Sequence, residues 1–470
     1  MTRDEAKLLY DSGEEAVVSK LLEMAAINAA LTQRVQAIES RLAKDSHNSH
    51  KPPSSDIFKP PKSLRPMSPQ ALKSGGQKGH SGQTLEFVAE PDQTIYHQPN
   101  ECDQCGMALD TVEEGYVERR QVMDLPPVRL HVTEHRVQIA VCPHCQHRNK
   151  GSFPAGVCAP VVYGSGLSAW IVYLHLWHLL PYARLCQLLS DLTGQPISQG
   201  TVAGMVRKAH NKLEPVENAI GEAIVASSVA GADETKLKGA GWLHVLRTDS
   251  LTWLGCHAQR GQKAMQGLGL LPRFSGTLVH DCLSGYFGFG KNHGLCAAHL
   301  LRDLVFVEER FGQGWETEMK TLLLDAKDAA QEARQAGSAT IANFDSVSAS
   351  YDSVLARAYK AHPPPTEKKA KGKSQTPFWL RLLDRFRDYK RYVLTFARDV
   401  SVPFDNNGSE RDIRMSKVRQ KISGRFRGAE GPAWFCRIRG YLSTLRKQNI
   451  EVFPALKSLF DGNIIMPQIA

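Results

Sequence analysis

The chain has 470 residues, 42% of them hydrophobic, and 58 Lys and Arg stand against 48 Asp and Glu for a formal charge of +10. This is enough apolar material for several packed cores, and the basic balance favours a polyanionic partner, nucleic acid first. Residues 169–180, the longest apolar run, are too few to span a bilayer and contain His175 and His178.

The N-terminus, MTRDEAKLLYDSGEE, is acidic and lacks the apolar core of a signal peptide, so a cytoplasmic protein is expected. Residues 1–45 form the first segment. Leu21, Met24, Asn28, Leu31, Val35, Ile38 and Leu42 alternate at spacings of three and four, as in a coiled-coil seam with Asn28 at an a position. A leucine-zipper helix that pairs copies of the chain is expected; an ordinary amphipathic helix is the plainer alternative. Residues 46–88 are rich in Pro, Ser, Gly, Lys and His and read as a linker.

Residues 89–160 carry ECDQCG, with Cys102 and Cys105, and VCPHCQH, with Cys142 and Cys145. Ten cysteines in so long a chain do not suggest a disulfide framework, and paired CxxC motifs read as metal ligands in a reducing compartment. Four thiolates at this spacing suit one structural Zn²⁺ in a zinc ribbon. The intervening RRQVMDLPPVRLHVTEHRVQIAV alternates apolar and polar residues and predicts strands.

Residues 161–222 read as a helical block. A helix from Arg184 to Leu192, a turn at Gly194 and a second helix capped by Ser198 resemble a helix-turn-helix, with Arg207 and Lys208 as DNA contacts. A plain helical hairpin fits the spacing equally well.

Residues 223–310 change character. SSVAGADETKLK, GWLHVLRTD and LTWLGCHAQ predict three strands in hairpin order, followed by a helix near residues 262–270 and a strand, GTLVHD, ending at Asp281. This pattern resembles the ribonuclease H-like α/β fold. Asp233 would lie on its first, central strand and Asp281 at the end of its fourth. Strands about 4.8 Å apart would let both carboxylates share a pair of Mg²⁺ or Mn²⁺ ions, which prefer hard oxygen ligands. Residues 311–400 are largely helix-forming and read as an insertion, interrupted by the basic loop HPPPTEKKAKGKSQTP. Its Trp379, Arg381, Arg385, Arg387, Lys390 and Arg391 suit a DNA end or, equally, a solvated face.

Residues 401–450 contain FDNNGSERDIRMSKVRQK, and residues 451–470 read as a C-terminal tail. On a helix, Glu410, Arg414, Lys417 and Lys421 fall within an arc of roughly 60°, with Met415, Val418 and Ile422 on an apolar side. A solvated face with a Glu410–Arg414 pair is one explanation. The other is a metal-binding carboxylate, Glu410, with Arg414, Lys417, Lys421 and Arg425 along a DNA backbone. Asp303, Glu308 and Glu309 are weaker candidates for a third acid.

Over nearly its whole length the chain resembles bacterial transposases of the insertion-sequence sixty-six family, through the zipper, KPPSSD, GGQKGHSG, the two CxxC pairs, YGSGLSAW, LPYARL, ADET, LVHD, LCAAHLLRDL and DNNGSERDIR. The resemblance implies a multidomain α/β enzyme with a ribonuclease H-like core and helical insertion. Asp233, Asp281 and Glu410 would be its catalytic, metal-binding triad. It further implies that Cys296 and His299 match a Cys-x-x-His pair and Asn406 an Asn-x-x-x-Glu pattern, with His299 and Asn406 as DNA-positioning residues. The implied activity is two-metal cleavage and joining of transposon ends, in a homo-oligomer and with accessory proteins of the element. A non-catalytic DNA-binding protein, or a nuclease that does not join strands, would be the alternatives.

Overall fold

A computed structural model of the chain describes residues 3–42, 85–97, 99–109, 119–154, 156–363, 376–426 and 428–469. Most of the expected linker lies outside these residues. The order of elements is mixed α/β, in several units.

Helices α1 (Arg3–Asp11) and α2 (Glu14–Leu42) open the chain. Leu21, Met24, Leu31 and Val35 of the expected seam are solvent-exposed along α2; the side chains of Ile38 and Leu42 lie outside the described residues. Near the end of α2, Glu39 pairs with Arg310 at 2.5 Å.

In the cysteine-bearing segment each CxxC pair forms a tight turn. The Cys102 N–H donates to Met107 O and the Gly106 N–H to Cys102 O; the second pair repeats this with Cys142, His147 and Gln146. Gly106 (φ 70°) and Gln146 (φ 60°) hold the same left-handed position in the two turns. Regular strand is confined to β1 (Ile139–Val141) and β2 (Arg148–Lys150), which pair antiparallel. The strands expected over residues 119–138 do not form. There the Gln121 amide exchanges two hydrogen bonds with the Val88 backbone, at 2.7 and 2.8 Å, in place of a ladder. Alternating hydropathy needs a partner strand to become a sheet, and none runs beside this stretch among the described residues.

The helical block contains α3 (Ser165–Val172), α4 (Tyr182–Thr193), α5 (Gln199–Lys212) and α6 (Glu214–Ala226). Gly194 ends α4 at φ 70°, and the Ser198 hydroxyl caps α5 by accepting the Thr201 N–H at 3.1 Å. Between α3 and α4 the chain winds wider, over Tyr173–Trp177.

Five strands follow: β3 (Val229–Leu237), β4 (Gly241–Arg247), β5 (Thr252–His257), β6 (Thr277–His280) and β7 (Asn292–Leu295). They form one sheet in the order β5-β4-β3-β6-β7. The β3–β4 and β4–β5 pairs are antiparallel hairpins; β3–β6 and β6–β7 are parallel. A short helix, α7 (Gln262–Gly267), lies in the crossover from β5 to β6.

After β7 come α8 (Ala297–Phe311), α9 (Trp315–Gln335), α10 (Phe344–Ala361), α11 (Phe378–Asp388), α12 (Lys390–Val393) and α13 (Thr395–Arg398). These helices bury a core of their own, including Leu304, Met319, Leu323, Tyr351, Leu383 and Phe386. Each such side chain contributes roughly 1.5–3 kcal/mol when fully buried. The chain then returns to the sheet as α14 (Asn407–Ser423), α15 (Gly431–Lys447) and α16 (Val452–Asp461). α14 lies on β3 and β4, and α15 on β5. Residues 451–470 are therefore not a simple tail: α16 buries Val452, Ala455, Leu456 and Leu459 and packs on α3.

The buried face of α14 also departs from the expected one. Gly408, Ser409, Ile413 and Ser416 are buried, whereas Ile422 is 42% exposed. The face is small and polar because the backbones approach closely. A Cβ on Gly231 of β3 would stand 2.6 Å from Asn406 Oδ1 and 2.9 Å from Ser409 Oγ, and one on Gly408 would run into the Arg247 guanidinium.

Candidate active site

Alternation along β3 sends Gly231 and Asp233 toward α14 and Glu234 to the other face. Burial pushes the Asp233 carboxyl well above the ordinary range, and the charges of Asp281, Glu234 and Glu410 push the same way. Asp281 stands just past the end of β6, where its Oδ1 accepts the Leu283 N–H at 3.1 Å. Because β6 runs parallel beside β3, this end of the strand lies on the Asp233 side of the sheet.

Glu410 occupies the first turn of α14, and its ion pairs reach across to α8 instead of along its own helix to Arg414. His299 Nε2 lies 3.5 Å and Arg302 Nη1 3.7 Å from Glu410 Oε1, an oxygen that is buried and accepts no hydrogen bond. Asp233 thus senses the charge of the other two acids at one end of the sheet. Yet among the described residues no three Asp, Glu, His or Cys side chains stand together as a metal-binding group.

Glu234 is engaged elsewhere. It accepts hydrogen bonds from Arg260 Nε and Nη2, at 2.8 and 2.7 Å, and from Tyr286 Oη at 2.6 Å. Since Tyr286 follows Asp281 by one short turn, this buried network ties the Asp281 loop to the strand that carries Asp233. The weaker candidates for a third acid are engaged too. Asp303 is buried against Arg385 at 2.9 Å, and Glu308 binds Lys320 and Thr317.

Asn406 is 4% exposed. Its Nδ2 donates to Ala232 O at 2.7 Å, its Oδ1 accepts from Ser409 Oγ at 2.7 Å, and its backbone N–H reaches Cys296 Sγ at 3.1 Å. An amide so placed clips the start of α14 to β3 and to the start of α8, and no DNA contact is open to it in this arrangement. Cys296 itself is buried, burial raises its thiol to about 12, and its sulfur accepts the Asn406 N–H.

Arg414, Lys417, Lys421 and Arg425 are exposed along and just beyond α14, as are Arg207 and Lys208 on α5. Lys417 also donates to Lys236 O at 2.9 Å. In the insertion, Arg385, Arg387 and Lys390 are held in ion pairs with Asp303, Asp384 and Asp388, and Asp352.

Two features escaped the sequence reading. One is Arg302, a turn beyond His299 on α8. The other is Asp412, on the side of α14 opposite Glu410. Its carboxylate accepts from Thr252 Oγ1 (3.1 Å), Ser443 Oγ (2.9 Å) and Lys447 Nζ (2.8 Å) and faces Arg247 Nε at 3.4 Å. Asp412 was visible in the same motif as Glu410, but its partners come from distant segments.

At the CxxC turns, backbone N–H groups point at the first cysteine of each pair. Those of Gln104 and Cys105 hold the Cys102 thiol below its ordinary value, and those of His144 and Cys145 do the same for Cys142. Donors arranged to favour a thiolate fit a zinc ion.

Comparison with protein families places the greater part of the chain among DNA transposases. Residues 160–433 match the model described as Transposase IS66 family, and residues 99–146, which contain Cys102, Cys105, Cys142 and Cys145, match the zinc-finger binding domain of transposase IS66. Residues 3–86 match a family of unknown function. The chain belongs to the IS66 transposase family. No curated protein matches it. Among the described residues, no helix is long and apolar enough to cross a membrane.

Proposed function

We propose that this transposase is of the type that uses two aspartates and a glutamate, with Asp233, Asp281 and Glu410 as its metal-binding carboxylates on a ribonuclease H-like core. The observation that carries the reading is topological. Asp233 lies on the central strand, Asp281 ends the parallel neighbour, and Glu410 enters on the helix packed against that central strand. The donors suit Mg²⁺ or Mn²⁺: all are hard carboxylate oxygens, the Asp233 carboxylate is disfavoured first by burial and then by neighbouring negative charge, and Glu410 Oε1 is buried without a hydrogen-bond donor. Two bound cations would supply positive charge to the attacking and leaving oxygens of an in-line displacement.

In the proposed reaction, water attacks the phosphorus at the element's end. The P–O3′ bond breaks and a 3′-OH is released. That hydroxyl then attacks a target phosphorus, forming the new P–O bond and displacing the target's own 3′ oxygen. The residues' part is placement. Asn406 fixes where α14 begins, Asp412 fixes its rotation, and Glu234 with Tyr286 fixes the Asp281 loop. Arg414, Lys417, Lys421 and Arg425 would follow the backbone of the bound end, with Arg207 and Lys208 as a second contact region. One Zn²⁺ on the four cysteines would join the two turns, and the exposed apolar residues of α2 would pair copies of the chain. Accessory proteins of the element would complete the assembly.

The test is mobilisation of a marker flanked by the element's ends, comparing wild type with Asp233→Asn, Asp281→Asn and Glu410→Gln at matched protein levels. All three variants should lose mobilisation while still binding the ends. A variant that mobilises at the wild-type rate removes that carboxylate from the mechanism. End cleavage without joined products would indicate a nuclease, and sequence-specific binding without Mg²⁺-dependent cleavage a non-catalytic DNA-binding protein.

A further inference from the structure

We propose that Arg302 binds the phosphate that is cut, as a substrate-contacting residue of the reaction; the proposal rests on the transposase reading above. Arg302 lies on α8 with its side chain 23% exposed, half-sunk at the edge of the acid cluster. Its guanidinium carries five N–H donors in a planar fork suited to phosphate. Among the described residues that fork makes one contact, the 3.7 Å ion pair with Glu410, which is too long for a hydrogen bond. Three other arginines near the sheet are bonded more tightly. Arg260 is fixed on Glu234, Arg385 on Asp303, and Arg247 between Asp412 and Asp249.

The electrostatics require a cation here. A DNA phosphate approaching Asp233, Asp281 and Glu410 meets like charge from all three. A guanidinium next to the cluster, only loosely held, offsets that repulsion. The same contact links two events: when Arg302 turns to the phosphate, Glu410 Oε1 loses an ion-pair partner and becomes available to a metal ion. Substrate and cation would therefore assist each other's binding, as reciprocal linkage demands. His299 remains beside Glu410 and keeps the carboxylate in place.

The experiment uses the full-length protein and duplexes of its own element end. One duplex carries the normal phosphate at the cleavage point and the other an uncharged methylphosphonate. Wild type, Arg302→Ala and Arg302→Gln are compared for binding of both duplexes, and for cleavage of the normal one across an Mg²⁺ titration, after thermal melting has shown that the variants fold. Both variants should lose about 10- to 100-fold in cleavage, the range expected for one charge-assisted contact. They should bind the normal duplex more weakly than wild type does, and bind the uncharged duplex as wild type does.

Equal loss of affinity on both duplexes would overturn the proposal. So would undiminished cleavage with tighter Mg²⁺ dependence, since Arg302 would then serve only to restrain Glu410. If wild type does not cleave the normal duplex even with the element's accessory proteins added, the two-metal reading fails on its own. The phosphate contact is then decided by the binding comparison alone, in which a charge-specific loss supports it and an equal loss rejects it.

Discussion

Asp412→Asn tests what holds α14 in place. The carboxylate is 9% exposed and takes three hydrogen bonds, from Thr252, Ser443 and Lys447, besides facing Arg247. Lys447 is only 16% exposed, and burial already lowers its ammonium to about 8 even with Asp412 beside it. The asparagine keeps the shape and removes the charge, leaving Lys447 without its buried counter-ion and Arg247 with only the exposed Asp249. Loss of one partner from a buried ion pair costs about 3–5 kcal/mol. At about 2 °C per kcal/mol for a large domain, the melting temperature at pH 7 should fall by about 6–10 °C. The sign with pH is fixed as well. The folded-state value of Lys447 lies below its unfolded 10.5, so the unfolded chain binds more protons between them and stability rises with pH across that window. Without Asp412 the folded value drops further, so the deficit against wild type should shrink between pH 7 and 9. Melting followed by tryptophan fluorescence reads both effects. An Asp412→Asn protein that melts within 2 °C of wild type at pH 7, or whose deficit is unchanged at pH 9, refutes the reasoning; adding Lys447→Met to the variant should recover part of the loss.

Three further outcomes are expected. Burial above all, and then the charges of Asp281, Glu234 and Glu410, hold the Asp233 carboxyl well above its ordinary 3.8, so stability is lost as pH rises from 3.8 toward the folded-state value; Asp233→Asn should remove that loss from the melting-temperature profile. His244 is buried and His175 half-buried, and desolvation lowers both to about 4 from 6.5, so the unfolded chain binds more protons below pH 6.5; stability should fall from pH 7 toward pH 4, by about 2 kcal/mol per histidine at pH 5, and His244→Gln should flatten the denaturant-midpoint profile. Gly231→Ala places a methyl against Asn406 and Ser409; it should cost about 1–3 kcal/mol and lower end cleavage more than end binding, and normal cleavage would show that α14 seats differently.

The parts of the fold that were legible in the sequence are those set by local chemistry. The apolar runs of β3, β4 and β5 needed only hairpin neighbours, and Gly194 and Ser198 mark a helix end and a helix start through their own backbone preferences. Asp233 and Asp281 stood out as acids within or just past apolar strand runs, and Glu410 as a lone acid among bases. What could not be read depends on distant partners. Ile413, Ser409 and Gly408 form the buried side of α14 because Gly231 and Arg247 lie opposite them. Arg302 differs from any helical arginine only by facing Glu410. The alternation before Ile139 promised strands, but the chain supplied the Gln121 side chain in their place.

The clip at Asn406 also bears on how the protein is made. It fastens the start of α14 to Ala232 and Cys296, segments synthesised far earlier in the chain. The helical insertion has its own core and intervenes between them. A nascent chain therefore carries the whole insertion before α14 emerges to fill the groove over Gly231 and Arg247, and the sheet shares its core with the later α15 and α16. Glu410 arrives with that helix, and α15, whose Ser443 and Lys447 bond Asp412, comes later still. A chain cut before residue 407 would keep the residues of the insertion core but lack the whole of α14, and with it Glu410 and Asp412.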